Sequence, residues 1–242
     1  MLLLALDTAT PAVTVALHDG SAVVAEASAT DARRHAELLA PLVERVLEQA
    51  GATAADLTDV AVGTGPGPFT GLRVGLVTAR MTASALGLGL HGVSTLDVLA
   101  AQALEDGTLG RQTPAEFLVA TDARRREIYW AAYRADGGAV GGDGGMDGGV
   151  DGAAPLPERI DGPHVARAAD VPRDDRPVVG RGAELYAADL GPALGPLDPS
   201  AGALARLVLR RLALGTDLSD VEPLYLRRPD VHVAAGPKSV LG

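Results

Sequence analysis

The chain has 242 residues, enough for one large domain or two small lobes, and 47% of them are hydrophobic with only 3% aromatic, which makes any core aliphatic. A formal net charge of -10 and a pI near 4.9 exclude a protein that grips nucleic acid over its whole surface, while leaving room for a local basic patch. The absence of cysteine excludes disulfides, thiolate metal sites and a cysteine nucleophile.

Leu2 to Leu6 reads as a buried strand ending at Asp7. No basic region precedes that run, and it is too short for the apolar core of a signal peptide. No stretch approaches the roughly 20 apolar residues that span a bilayer. These features predict a cytoplasmic protein with no membrane partner. Val13, Val15 and Leu17 alternate as in a half-buried strand. Asp19-Gly20 is a hairpin signal, and Val23–Ala27 supplies the return strand, so the chain opens with a three-strand meander. Leu38, Leu39, Leu42, Val43, Val46 and Leu47 fall at helical spacing, with Gly51 as the stop. Pro41 fits that helix if it starts near Glu37, inside the first turn. Thr53 to Asp56 reads as a helix N-terminal box. Val60–Val62 is a short strand that runs into the loop Gly63 to Pro68, followed by a helix from about Thr70 to Leu86. Leu90–Val93 and Leu96–Leu104 give one more strand and helix.

The second half restarts in the same way. Phe117–Thr121 is a strand ending at Asp122, Glu127–Arg134 alternates, and Asp136-Gly137 is again a turn signal. Leu4-Ala-Leu-Asp7 and Val119-Ala-Thr-Asp122 open their halves alike, which suggests a duplicated α/β fold of mixed sheets flanked by helices. The predicted lobes are 1–104 and 105–242, with the last helix able to pack back on the first lobe. The glycine-rich stretch 137–152 buries too little apolar surface to order itself and reads as an exposed insertion. Val178–Val179 is a short strand, Ala201–Leu214 a helix, and the chain from Pro223 on a loose tail.

Five features could carry function. Asp7-Thr8-Ala9-Thr10 sits at a strand end, where exposed amides favour an anion and the Asp could face a metal-bound phosphate; taken alone, a solvated loop whose Asp caps a turn is the plainer reading. Gly63-Thr-Gly-Pro-Gly-Pro-Phe-Thr-Gly71 lies between a strand and a helix N-terminus, where anions bind. It is neither a Walker motif nor a GxGxxG loop, and a rigid structural turn explains it equally. Asp7, Thr8, Gly65, Gly67 and Thr70 are the candidate phosphate-binding residues. Gly71, Gly75, Ala79 and Ala83 make a small-residue stripe that lets another helix come very close, either from this chain or from a partner. In the partner case Leu38, Leu42, Arg73 and Arg80 join the same interface. The five histidines include no metal pair at helical spacing. His35, beside Arg33 and Arg34, reads as a surface position. Arg124, Arg125 and Arg126 could meet nucleic-acid phosphates or a partner's carboxylates, or simply form a solvated turn.

Several segments together resemble the TsaB (YeaZ) family: Ala5 to Thr10, His35 to Leu39 with Pro41, Gly65-Pro-Gly-Pro-Phe-Thr-Gly-Leu-Arg-Val-Gly75, Asp122 to Arg124 with Glu127-Ile-Tyr129, Val179 to Ala183, and Pro223-Leu-Tyr-Leu-Arg227. They run in order over nearly the whole chain. Pro68 stands where that family usually has Ser, which removes a hydroxyl and an amide from the loop and weakens phosphate contact there. The glycine-rich insertion is not a family feature.

The resemblance implies an actin/Hsp70-like (ASKHA) two-lobe fold. It also implies a role beside the paralogous TsaD and the ATPase TsaE, which together place threonylcarbamoyl on N6 of adenosine 37 in ANN-decoding tRNAs. TsaD carries a His-x-x-x-His metal site just after the matching helix. Here His91-Gly-Val-Ser-Thr-Leu-Asp97 has one His and no second, which predicts a subunit with no catalytic residues and no metal. The expected assembly is a heterodimer with TsaD through first-lobe helices, with tRNA met through the complex, and a homodimer when alone. No tightly bound cofactor is expected, with ATP or ADP at the TsaD interface the exception. The competing reading is an actin-like ATP-dependent carbamoyltransferase or kinase active by itself through Asp7 and the glycine loop. A protease is the third reading, and no nucleophile or metal pair supports it.

Overall fold

The computed structural model describes residues 1–109, 116–136 and 154–227. The glycine-rich stretch 137–152, the Asp136-Gly137 turn and the chain beyond Arg227 lie outside the described residues. The opening meander is β1 (Leu3–Asp7), β2 (Ala12–His18) and β3 (Val23–Thr30), paired antiparallel with Leu6 opposite Val15 and Val15 opposite Ala27. Gly20 closes the first hairpin at φ +98°, a conformation glycine takes without a Cβ clash, and Asp19 Oδ1 accepts the Ser21 and Ala22 amides. Helix α1 (His35–Ala50) follows, then β4 (Asp59–Gly63), α2 (Phe69–Leu86), β5 (Gly89–Val93) and α3 (Thr95–Glu105). β4 pairs parallel to β1 and β5 parallel to β4, so the first sheet runs β3-β2-β1-β4-β5.

The second half repeats that plan. β6 (Glu116–Asp122), β7 (Glu127–Asp136) and β8 (Leu156–Arg167) form the meander. β9 (Val178–Val179), the short helices α4 (Arg181–Leu185) and α5 (Ala187–Leu190), and β10 (Ala193–Leu194) complete the sheet, before the closing helix α6 (Ala201–Ala213). Its order β10-β9-β6-β7-β8 is the first sheet's order read backwards, with the same antiparallel and parallel pairings. This duplicated mixed-sheet arrangement is the actin/Hsp70-like fold.

Both faces of β1 are buried, which is why it reads as a continuous apolar run rather than an alternating one. Leu4 and Leu6 face α1 and α2, among Leu39, Val46, Leu72 and Leu76. Leu3 and Ala5 face the other way, onto Leu204, Leu207 and Val208 of α6. The last helix of the second half therefore covers the sheet of the first. Helix α3 bridges the halves: its Leu96, Leu99 and Ala103 pack on Phe117, Val119 and Tyr133 of the second sheet. Ser200 caps α6, its Oγ accepting the Ala203 amide.

Three readings need correction. Helix α1 begins at His35, so Pro41 lies inside the helix rather than in its first turn, and the Glu37 carbonyl has no amide to accept there. β8 gave no strand signal because Pro157, Gly162 and Pro163 break its alternation; it is an edge strand, where proline costs no ladder bond on the open side. The stretch 216–227 is a strap rather than a loose tail. Leu218 O accepts the Gly92 amide, the Leu224 amide donates to Thr64 O, and Arg80 donates to Val221 O and Glu222.

Candidate functional site

Asp7 ends β1 and is fully buried. Its Oδ1 accepts the Ala9 amide and its Oδ2 accepts the Thr95 hydroxyl, both at 2.7 Å. Gly63 lies so close that a Cβ there would stand 1.9 Å from Asp7 Oδ2. Burial pushes the Asp7 carboxyl up to about 6, against the lowering effect of the Ala9 and Thr95 hydrogen bonds.

The glycine loop folds onto the same point. The Gly65 carbonyl accepts the Thr95 amide at 2.8 Å and the Ser94 hydroxyl at 3.1 Å, and the Gly65 amide donates to Thr95 Oγ1 at 3.2 Å. Gly67 backs onto the Ala9 carbonyl, where a Cβ would stand at 2.2 Å. Thr8 Oγ1 donates to Gly71 O and accepts the Gly75 amide. Asp7, Thr8 and Gly65 are thus brought together around each other and Thr95 rather than around an open space, while Gly67, backed on Ala9, also borders a cleft on the far side of the loop. Thr70 stands apart, exposed at the start of α2. These residues do not fit a metal-bound phosphate: both carboxylate oxygens of Asp7 are engaged and its surroundings are filled by the chain itself. Among the described residues, no cluster of three or more His, Asp or Glu side chains could hold a metal ion.

The small-residue stripe of α2 faces inward, against this chain, which is the intrachain one of its two expected uses. A Cβ on Gly71 would meet the Thr8 carbonyl at 2.9 Å and the His35 ring at 3.4 Å; one on Gly75 would meet Thr8 Oγ1 at 2.6 Å. Ala79 and Ala83 belong to the first core. The close approach that the stripe permits is to the end of β1 and to α1. His35 is correspondingly buried, not a surface residue, and its Nε2 donates to Thr10 O at 2.8 Å. Leu42 is buried and Leu38 half-buried. The outward face of α2 is a different one, where Val77 and Met81 are 56% and 66% exposed. Arg80 and Arg73 flank it and are held by the strap: Arg80 by Val221 and Glu222, Arg73 by a 2.8 Å bond to Tyr225 Oη.

On the other side of the glycine loop lies a cleft of about 240 Å³. Gly67, Pro68 and Phe69 form one wall, Arg124, Arg125 and Tyr129 the second, and Tyr225 and Arg227 the third. The arginine run sits in the β6–β7 turn, with Asp122 Oδ1 accepting the Arg124 amide. Arg126 is not among the residues that line it, and its backbone amide hydrogen-bonds the Tyr186 phenol. Residue patterns gave Arg124 and Arg125 but not Phe69, Tyr129, Tyr225 or Arg227 as partners, and no local spacing could have joined Arg73 to a tyrosine 152 positions away.

A family model described as "TsaD: tRNA N6-adenosine threonylcarbamoyltransferase" matches residues 23–151. An uncharacterized protein of Mycobacterium tuberculosis (strain H37Rv) is 40% identical over 96% of this chain and 94% of its own length. The tRNA threonylcarbamoyladenosine biosynthesis protein TsaB of Escherichia coli K12 is 36% identical over 58% of each chain. The solved structure of YeaZ from Pseudomonas aeruginosa superposes with a TM-score of 0.69 at 28% identity, covering 93% of this chain and 99% of that one. The order of motifs, the duplicated sheets and these matches agree, and the chain belongs to the TsaB (YeaZ) branch of the family that the TsaD model describes.

Proposed function

We propose that this protein is a non-catalytic partner subunit in the pathway that makes threonylcarbamoyladenosine on tRNA, supporting a TsaD-type transferase. The observation that carries the reading is the state of Asp7. In an actin-like enzyme the carboxylate at the end of the first strand must face the phosphate. Here it is sealed beneath Gly63 and hydrogen-bonded by Thr95 and Ala9. The scaffold of the site persists and its working space does not.

The docking face for TsaD in this reading is the outer side of α2 around Val77 and Met81, beside Leu38 of α1, with Arg73 and Arg80 at its rim. The same face serves homodimerisation when TsaD is absent. TsaE and tRNA are met through the assembled complex, and ATP or ADP binds at the interface with TsaD. The test is co-purification with the TsaD of the same organism, followed by threonylcarbamoylation of an ANN-decoding tRNA with and without this chain. Met81→Asp is expected to abolish the pairing and the stimulation while leaving the thermal midpoint nearly unchanged, because the side chain is 66% exposed. ATP turnover by the chain alone, lost in Asp7→Ala, would instead establish the self-sufficient enzyme.

A further inference from the structure

A second cavity, of about 590 Å³, opens at the other end of β1 from Asp7, where His18 pairs with Leu3. Three elements wall it. The β2–β3 turn contributes His18 and Ser21, the C-terminal end of α3 contributes Glu105 and Asp106, and α6 contributes Arg206, Leu209 and Arg210. It shares no lining residue with the cleft at the glycine loop.

The charges in this lining are sorted by element. Both cations come from α6, where positions 206 and 210 stand one turn apart on one face. Both carboxylates come from the end of α3, where the last carbonyls of the helix add partial negative charge. Glu105 Oε2 accepts Arg206 Nε at 2.9 Å and Nη2 at 2.8 Å, which ties the two elements at one point. Arg210 donates only to the Ala154 carbonyl, and among the described residues neither Arg210 nor Asp106 has an ion-pair partner. One charge of each sign is therefore left over, on opposite elements of the same cavity.

His18 supplies a third polar group. It is 4% exposed, and its Nδ1 accepts the Gly20 amide at 3.0 Å. The proton of the neutral ring therefore sits on Nε2. Burial lowers the ring below its ordinary 6.5, opposed by the Asp19 charge and helped by that of Arg206, so the ring is neutral at pH 7. Among the described residues the Nε2–H has no acceptor, which leaves a buried donor to whatever occupies the cavity.

We propose that this cavity binds a small zwitterion of the free amino acid class. Its carboxylate is met by Arg210 and the His18 Nε2–H, and its ammonium by Asp106 and the carbonyl end of α3. The lining already balances two cations against two carboxylates, and a ligand with no net charge keeps that balance. A simple anion or cation would leave one of the two leftover charges unmet. Leu209 offers apolar surface to a side chain, and the volume is that of an ordinary small-molecule site. The inference does not rest on the partner role, because binding is read on this chain alone.

The experiment presents the proteinogenic amino acids as a mixture to the purified full chain and reads binding by saturation-transfer NMR. The strongest responder is then titrated by calorimetry beside its N-acetyl derivative, which lacks the ammonium, and its amide, which lacks the carboxylate. The free amino acid is expected to bind more tightly than either derivative and to shift the His18 ring resonances. Arg210→Gln is expected to weaken its binding about tenfold, the factor for one lost charge-assisted hydrogen bond. Asp106→Asn, at an exposed position, should weaken it about threefold and leave the N-acetyl derivative unaffected. Neither residue has an ion-pair partner to lose, so both variants should keep the thermal midpoint of wild type. The proposal is overturned if no amino acid binds at millimolar concentration, if either derivative binds as tightly, if Arg210→Gln binds as wild type does, or if the His18 ring does not respond.

Discussion

Asp7 is the residue on which most of the functional reading turns, and its protonation can be followed without any ligand. Burial holds its carboxyl at about 6 against an ordinary 3.8. The folded state therefore binds a proton that the unfolded chain has already released, over the window from about pH 4 to pH 6. Stability linked to this group is highest below that window and is lost as pH rises through it, by roughly 3 kcal/mol in full. Asp7→Asn keeps the shape and carries no charge. Denaturant unfolding of both proteins from pH 4 to pH 7 should show wild type losing stability relative to the variant as pH rises; a difference that stays flat with pH would mean that the carboxylate is not sealed. Gly75 gives a second test at this scale. A methyl there would meet Thr8 Oγ1 at 2.6 Å, so Gly75→Ala should cost about 1–3 kcal/mol of stability, seen as a lowered urea midpoint of the isolated chain. A bulkier residue at Gly75 would damage the fold first, and so could not report on a partner interface. The sequence shows Asp7 as a strand-end carboxylate and Gly75 as one of a stripe. It could not show that both are used internally, because Thr95, which closes the site, is 88 positions from Asp7.

At the scale of elements, what was legible had a period. The meander and helices α1, α2, α3 and α6 carry strong apolar repeats, and each expected span meets the observed one within a few residues. What had no period was missed: β8 with its prolines, the short α4 and α5, and the strap. The strap's order comes from single long-range contacts, chiefly Tyr225, which stacks on Phe69 and accepts a hydrogen bond from Arg73. Such contacts leave no local signature. Tyr225→Ala removes both, an aromatic pair and a charged hydrogen bond, together worth about 1–2 kcal/mol at this exposed position. The loss should be local. Hydrogen exchange is expected to quicken at the Leu224 amide, which donates to Thr64 O, while the core strands β1 and β6 keep their protection. Unchanged exchange at Leu224 would show that the backbone bonds alone hold the strap.

For the whole molecule, the two sheets could slide past each other if only aliphatic surfaces joined them. A buried polar hub prevents this. Asp97 of α3 is 3% exposed and lies where elements of both halves meet. Its Oδ1 accepts the Tyr133 hydroxyl from β7 at 2.8 Å, and Arg159 of β8 and Arg211 of α6 reach it at 3.2 Å and 3.0 Å. Burial, then the Asp97 charge, pushes the Tyr133 phenol well above its usual 10, so it remains a donor across the working pH range. Removing the carboxylate would leave a buried hydroxyl and two half-buried guanidinium groups without their common acceptor. Asp97→Ala should therefore cost about 3 kcal/mol, more than deletion of a surface ion pair. Its distinguishing consequence is cooperativity. Helices α3 and α6 are where the halves are fastened, so weakening the hub should let them unfold separately. Calorimetry would then give a van't Hoff enthalpy below the calorimetric one for the variant and equal values for wild type. A single sharp transition, merely shifted, would mean that the apolar packing of α3 on Phe117 and Tyr133 is enough to couple the lobes.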